Sequence, residues 1–144
     1  MTNISTLKSL TQTTFDSVEG YRKAVDKADS PALKDALNRR LTSREQTLSK
    51  LNSALESNGE ERITSSSMTA STHQTFMSIA DSFENGNEAA VERVEEGEDY
   101  IAGQFRDALE DDDLDASFRS LIQQTYQEIS EGERFSDMLE KQYA

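Results

Sequence analysis

Four glutamates, Glu19, Glu45, Glu98 and Glu128, fall near the middle of four long helical stretches, at or beside their apolar stripes. Carboxylates gathered at one level inside a helical bundle are how a di-iron or di-manganese centre is built. Two helices supply one Glu each and the other two supply Glu-x-x-His, so that hard oxygen and imidazole ligands converge on the metals. Here the corresponding quartets are Glu45-Gln46-Thr47-Leu48 and Glu128-Ile129-Ser130-Glu131. Neither ends in histidine. The second offers two carboxylates, whereas the first ends in an apolar residue. The candidate metal ligands are therefore Glu98, Glu128, Glu45 and Glu131. They form an incomplete set for iron or manganese. No catalytic residue and no other cofactor is expected.

Counting from each turn at about 1.5 Å per residue tests which of these share a level. Glu98 lies about 14 residues before the acidic turn at 111–115 and Glu128 about 15 after it, so the two match. Glu45 lies about 15 residues after the turn at Ser30, opposite Thr14 on the first helix. Glu19 lies about 10 before that turn, opposite Arg39 or Arg40, which makes it an ion-pair partner rather than a ligand. A buried Glu98–Glu128 pair must share a proton, bind a cation, or pair with Arg44 or a lysine.

Other chemistry finds little support. His73 is the single histidine, a further candidate site residue on a short amphipathic segment distant in sequence from the carboxylates. There is no cysteine, which excludes disulfides, zinc–thiolate sites, iron–sulfur clusters and thiol catalysis. Asp111-Asp112-Asp113-Leu114-Asp115 hints at a calcium loop but lacks the mid-loop glycine, and Ile122 stands where the bidentate glutamate belongs. No phosphate-binding glycine loop is present, and Ser65-Ser66-Ser67 has no matched base.

The elements that must position these residues are helices. Leu7, Leu10, Thr14, Val18, Tyr21, Val25 and Ala28 recur in steps of three and four, one face of a helix over about 5–28. Ser30 caps the next helix and Pro31 opens it, where a missing N–H costs nothing. Leu33, Leu37, Leu41, Leu48, Leu51 and Leu55 carry its stripe to about 57, and Asn58-Gly59 stops it. A third helix over about 88–110 turns Val91, Val94, Glu98, Ile101, Phe105 and Ala108 one way. A fourth, over about 114–143, does so with Phe118, Leu121, Thr125, Glu128, Gly132, Phe135 and Leu139. The two short turns make antiparallel hairpins. The roughly 29 residues between them are far more than adjacent antiparallel helices need. They form a crossover, about 58–87, with its own short helix at 71–83. The fold expected is all-α, a four-helix bundle of two antiparallel hairpins joined by a long crossover, in one domain of 144 residues.

Glycine recurs inside these helices at Gly20, Gly97 and Gly132. Each costs about 1 kcal/mol relative to alanine. Tolerance at a helix crossing, close approach of helices, or ligand access would each account for it.

The 28 acidic residues outnumber the 15 basic ones, giving a net charge of −13. A field of that sign repels nucleic acid and anionic lipid, and Asn38-Arg39-Arg40 with Arg44 is too small a basic patch to reverse it. The start of the chain lacks the basic and apolar run of a signal peptide, and no stretch approaches the ~20 apolar residues that span a bilayer. A cytoplasmic location with no nucleic-acid or membrane partner is expected.

At Glu19-Gly20-Tyr21-Arg22, Pro31-Ala32-Leu33-Lys34, His73 and Gly97-Glu98-Asp99 the chain resembles the ferritin-like four-helix-bundle proteins of domain-of-unknown-function family 2383. The resemblance runs from about Leu7 to Leu139. It implies a ferritin-like bundle, bacterial and cytoplasmic, of the kind linked to stress responses. Its motifs are short and none is a catalytic signature. Three functions remain open: a non-enzymatic bundle acting through a homodimer or a protein partner, a carboxylate-bridged dimetal protein, and a small-molecule binder with a pocket beside Gly97 and Gly132.

Overall fold

A computed structural model describes residues 3–66 and 86–143. All regular elements among them are helices: α1 (Asn3–Lys27), α2 (Pro31–Ser57), α3 (Gly86–Leu109) and α4 (Ala116–Tyr143). Each begins and ends within two residues of the expected bounds. The short helix expected at 71–83, and His73 on it, lie outside the described residues. No helix among the described residues is long and apolar enough to cross a membrane.

The helix ends follow local chemistry. Ser30 is the N-cap of α2, its backbone extended and its hydroxyl accepting the Leu33 N–H at 3.3 Å, with Pro31 in the first turn. At the other end Gly59 adopts φ +78°, the left-handed conformation that only glycine enters without penalty. That lets the Glu60 N–H turn back to the Leu55 carbonyl at 2.9 Å, closing a Schellman-type stop. Past the end of α3, Arg119 donates to the carbonyls of Leu109 and Asp111, each at 2.6 Å, and binds the α3–α4 turn to the first turns of α4.

Helix α1 packs closely on α2 and on α3, and α3 packs closely on α4, while α2 and α4 meet more loosely. The helix directions are fixed by contacts at the ends. The Asn87 side chain accepts the backbone N–H groups of Asp29 and Ser30 at 2.8 and 3.0 Å, placing the start of α3 beside the end of α1. The Asn3 side chain accepts the Asp115 N–H at 3.0 Å, placing the start of α4 beside the start of α1. Thus α1 and α3 are antiparallel neighbours, α2 and α3 are parallel and diagonal, and the connection between them must return along the bundle, about 40 Å for a helix of 27 residues. Its opening residues start that return in the groove between α1 and α2. Glu60 meets Lys8 at 2.6 Å, Ile63 exchanges both backbone hydrogen bonds with the buried Asn52 side chain, and the Ser65 carbonyl accepts from Gln12 at 2.9 Å.

The apolar core is divided. One cluster, around Leu7, Leu51, Leu55, Ile101, Phe105 and Ile122, fills the end near the α3–α4 turn. A second, around Ala24, Leu33, Leu37, Ala90, Val94 and Leu139, fills the end near the α1–α2 turn. Between them lies a layer of buried polar and charged residues, Thr14, Ser17, Arg44, Thr47, Glu98 and Thr125, with Val18 beside it.

Candidate functional site

Each helix contributes to this polar layer from its inward face. Helix α1 supplies Ser17 and Tyr21, one turn apart. Helix α2 supplies Arg40, Arg44 and Thr47, spaced four and three residues. Helix α3 supplies Glu98, and α4 supplies Glu128 and, one turn on, Gly132. Such spacings put side chains of one helix on one side.

Arg44 is the hub. Its side chain is 0% exposed and that of Glu98 1%. Its two terminal nitrogens grip Glu98 in a bidentate pair, Nη1 to Oε1 at 2.7 Å and Nη2 to Oε2 at 2.8 Å. Nη1 also donates to the Ser17 hydroxyl, and Nε donates to Glu128 Oε1 at 2.8 Å. The guanidinium carbon lies 5.5 Å from the centre of the Tyr21 ring, within cation–π range. The Tyr21 hydroxyl donates to Glu98 Oε2 at 2.7 Å. Thr47 donates to Glu128 Oε1 at 2.8 Å, and Arg40 closes the outer side by donating to the Glu128 carboxylate and to its carbonyl. Two arginines and two glutamates sum to zero, so the buried charge is balanced within the layer.

Burial works against the charged form of Arg44, but Glu98, and then Glu128, more than restore it and hold its pKa raised. Burial, and then the charge of Glu98, push the Tyr21 hydroxyl well above its ordinary value, so it stays a donor. Gly132 makes room for the pair. A Cβ there would collide with Glu98 Oε2 and stand 2.6 Å from Arg44 Nη2. The pocket expected beside Gly132 is thus filled by the ion pair. The cavity beside Gly97, bounded by Ser17, Tyr21 and Arg93, is about 10 Å³, room for roughly one water.

The sequence-derived candidates separate accordingly. Glu98 and Glu128 do converge at one level, bridged by Arg44. Glu45 and Glu131 do not join them: their side chains are 44% and 59% exposed, and Glu45 pairs with Arg22 at 2.9 Å. Glu19 is an ion-pair partner as expected, but of Arg22 on its own helix at 3.2 Å rather than of Arg39 or Arg40. These residues do not fit a dimetal centre. A guanidinium already stands between the inward carboxylates, every carboxylate oxygen of Glu98 and Glu128 accepts at least one donor, and the described residues include no histidine. Among the described residues no three metal-ligating side chains are placed so that they could hold a metal ion.

A second group of carboxylates lies on the α3–α4 seam. Glu95 has one buried oxygen, Oε2, without a donor. Its pKa is raised to about 8, first by burial, then by a hydrogen bond with Glu140 and by the charges of Glu140, Glu92 and Asp99.

Fold and site together define an all-helical bundle whose centre is a closed ion network. The chain belongs to the DUF2383 family, described as a domain of unknown function, whose family model matches residues 2–111. The match takes in α1, α2 and α3 and ends before α4, the helix that carries Glu128 and Gly132. No curated protein and no solved structure matches the chain.

Proposed function

We propose that this chain is a non-enzymatic, ferritin-like helical bundle that acts through its surface by binding a protein partner. The observation that carries the reading is the saturation of the central carboxylates. Glu98 is held by Arg44 twice and by Tyr21, and Glu128 by Arg44, Arg40 and Thr47. Among the described residues this layer keeps no open coordination position, and the cavity beside Gly97 has room for roughly one water. The ion network then serves register. Arg44, from the first hairpin, must meet Glu98 and Glu128 of the second, and a slip of one turn would leave buried charges unpaired. A bacterial, cytoplasmic and stress-linked setting is what the resemblance implies for this role.

The test is elemental analysis of protein produced with added iron and manganese. We expect far less than one metal per chain, unchanged in Glu98→Gln and Glu128→Gln. Near-stoichiometric metal that disappears in either variant would overturn the reading in favour of a dimetal protein.

A further inference from the structure

The seam between α2 and α4 is the loosest of the bundle. It is bridged at mid-height by Arg40, Arg44 and Thr47 reaching Glu128, and it opens toward the α1–α2 turn into a groove of about 380 Å³. The α2 wall is low, with Ala32 and Ala36 one turn apart. The α4 wall is high, with Phe135, Met138 and Tyr143. Met138 is 57% exposed, the one exposed large hydrophobic residue among those described. Flexible methionine beside aromatic and small residues is the composition of surfaces that receive helices.

The charge of this groove runs against that of the chain. Among the described residues the charged ones lining it are Arg39 and Arg40, in a protein of net charge −13. Arg40 is engaged with Glu128, whereas Arg39 is exposed and makes no hydrogen bond or ion pair among the described residues. An occupant must therefore be apolar on one side and anionic beside it. The walls are two antiparallel helices, each lining the groove over about 11–12 Å, which is two to three turns of a third helix laid between them. A second copy of the chain suits the site poorly. A two-fold contact would set groove against groove and Arg39 against Arg39, between two chains of charge −13.

We propose that this groove binds an acidic amphipathic helix of a partner protein, with its apolar stripe on Ala32, Ala36, Phe135 and Met138 and a carboxylate on Arg39. This rests on the surface-acting role above and names its site and the chemistry of its partner.

The probe is a fluorescein-labelled designed helix of about four turns, with leucines spaced three and four apart and glutamates elsewhere. A twin carries lysines in place of the glutamates. Anisotropy titrations on the full chain should show saturable binding of the acidic peptide and none of the basic one. Binding should weaken about tenfold or more in Arg39→Glu and in Met138→Lys, and in neither case should the helical circular dichroism change. Arg62→Glu, in the segment after α2, should leave it unaltered. Absence of saturable acidic-peptide binding, or binding indifferent to both groove variants, overturns the proposal. Decanoate binding lost in the same variants, without peptide binding, would assign the groove to an acyl chain instead. A dimer in sedimentation equilibrium that Met138→Lys dissociates would assign it to self-association. Any of these outcomes in a metal-free protein removes only the groove assignment. Metal at one per chain removes the surface-acting role itself.

Discussion

Two groups of carboxylates in this molecule meet the same problem and solve it differently. At the centre, Glu98 and Glu128 are neutralised by Arg44 and Arg40, and each oxygen accepts a hydrogen bond from a fixed donor. On the α3–α4 seam no cation among the described residues answers Glu95; burial and the neighbouring Glu140, Glu92 and Asp99 instead raise its pKa to about 8. The first solution demands close placement of long side chains from several helices. The second needs little placement and depends on pH. Depth decides between them. A fully buried carboxylate without a partner costs several kcal/mol, whereas a half-exposed one can take or release a proton at modest cost.

The sharpest way to break the contrast is to remove the central cation. Arg44→Ala leaves Glu98 buried and unpaired, and we expect a loss of about 3–5 kcal/mol in urea unfolding. Replacing the whole triad, with Arg44→Met, Glu98→Leu and Glu128→Leu together, should recover most or all of that loss. Next comes Gly132→Ala, which drives a methyl group into the Glu98–Arg44 pair and should cost about 2–3 kcal/mol despite the better helix propensity. Gly103→Ala, where a Cβ would touch nothing within 4 Å, should instead stabilise by about 0.5–1 kcal/mol. The opposite signs would separate a glycine kept for space from one that is merely tolerated. Tyr21→Phe removes one donor from Glu98 but leaves the bidentate arginine, and it should cost about 1–2 kcal/mol by the same measurement.

The smallest effect concerns the seam, where Glu92 and Glu95 are partly exposed and Asp99 is exposed, so that solvent screens their repulsion. The folded pKa of Glu95 is raised to about 8 from an ordinary 4.5. Between those values the folded state holds a proton that the unfolded state has released, so stability falls as pH rises through that window. The raised pKa values of Glu92 and Asp99 act in the same sense. The urea midpoint of the wild type should therefore decline from pH 5 to pH 9. Glu95→Gln should show a shallower decline, and a midpoint that rises toward pH 9 would refute the raised pKa of Glu95.

Much of this was legible in the sequence, for stated physical reasons. The helix ends could be read because their signals are local: the Ser30 cap, Pro31 and Asn58-Gly59 act within one turn. The equal height of Glu98 and Glu128 could be read because rise per residue is constant and the intervening turn is short. Arg44 could be named from the sequence only as one of several partners for that pair. Arg44 lies one heptad after Leu37 and one before Leu51, both buried, so the period of α2 points it inward, whereas the residue of metal-ligand type is its neighbour Glu45. One residue is 100° of helix, enough to put Glu45 on the surface beside Arg22. On α4 the deepest line runs through Ile122, Thr125, Ile129, Gly132, Ser136 and Leu139, which leaves Glu128 at the shoulder, where Arg40 can reach it from the outside. The bridging of two hairpins through one guanidinium is a tertiary fact. It needs the angle at which helices meet, which no single helix encodes.

Asn87 has a consequence for how the two hairpins depend on the chain between them. Its side-chain oxygen holds Asp29 and Ser30, while at the opposite pole Asn52 holds Ile63. Both roots of the crossover are thus tied to helices independently of the peptide that links them. A backbone nick between residues 66 and 86 should leave two fragments that co-elute on gel filtration and part only in denaturant. In this bundle, covalent continuity would be a convenience of synthesis, and cohesion would belong to the interior.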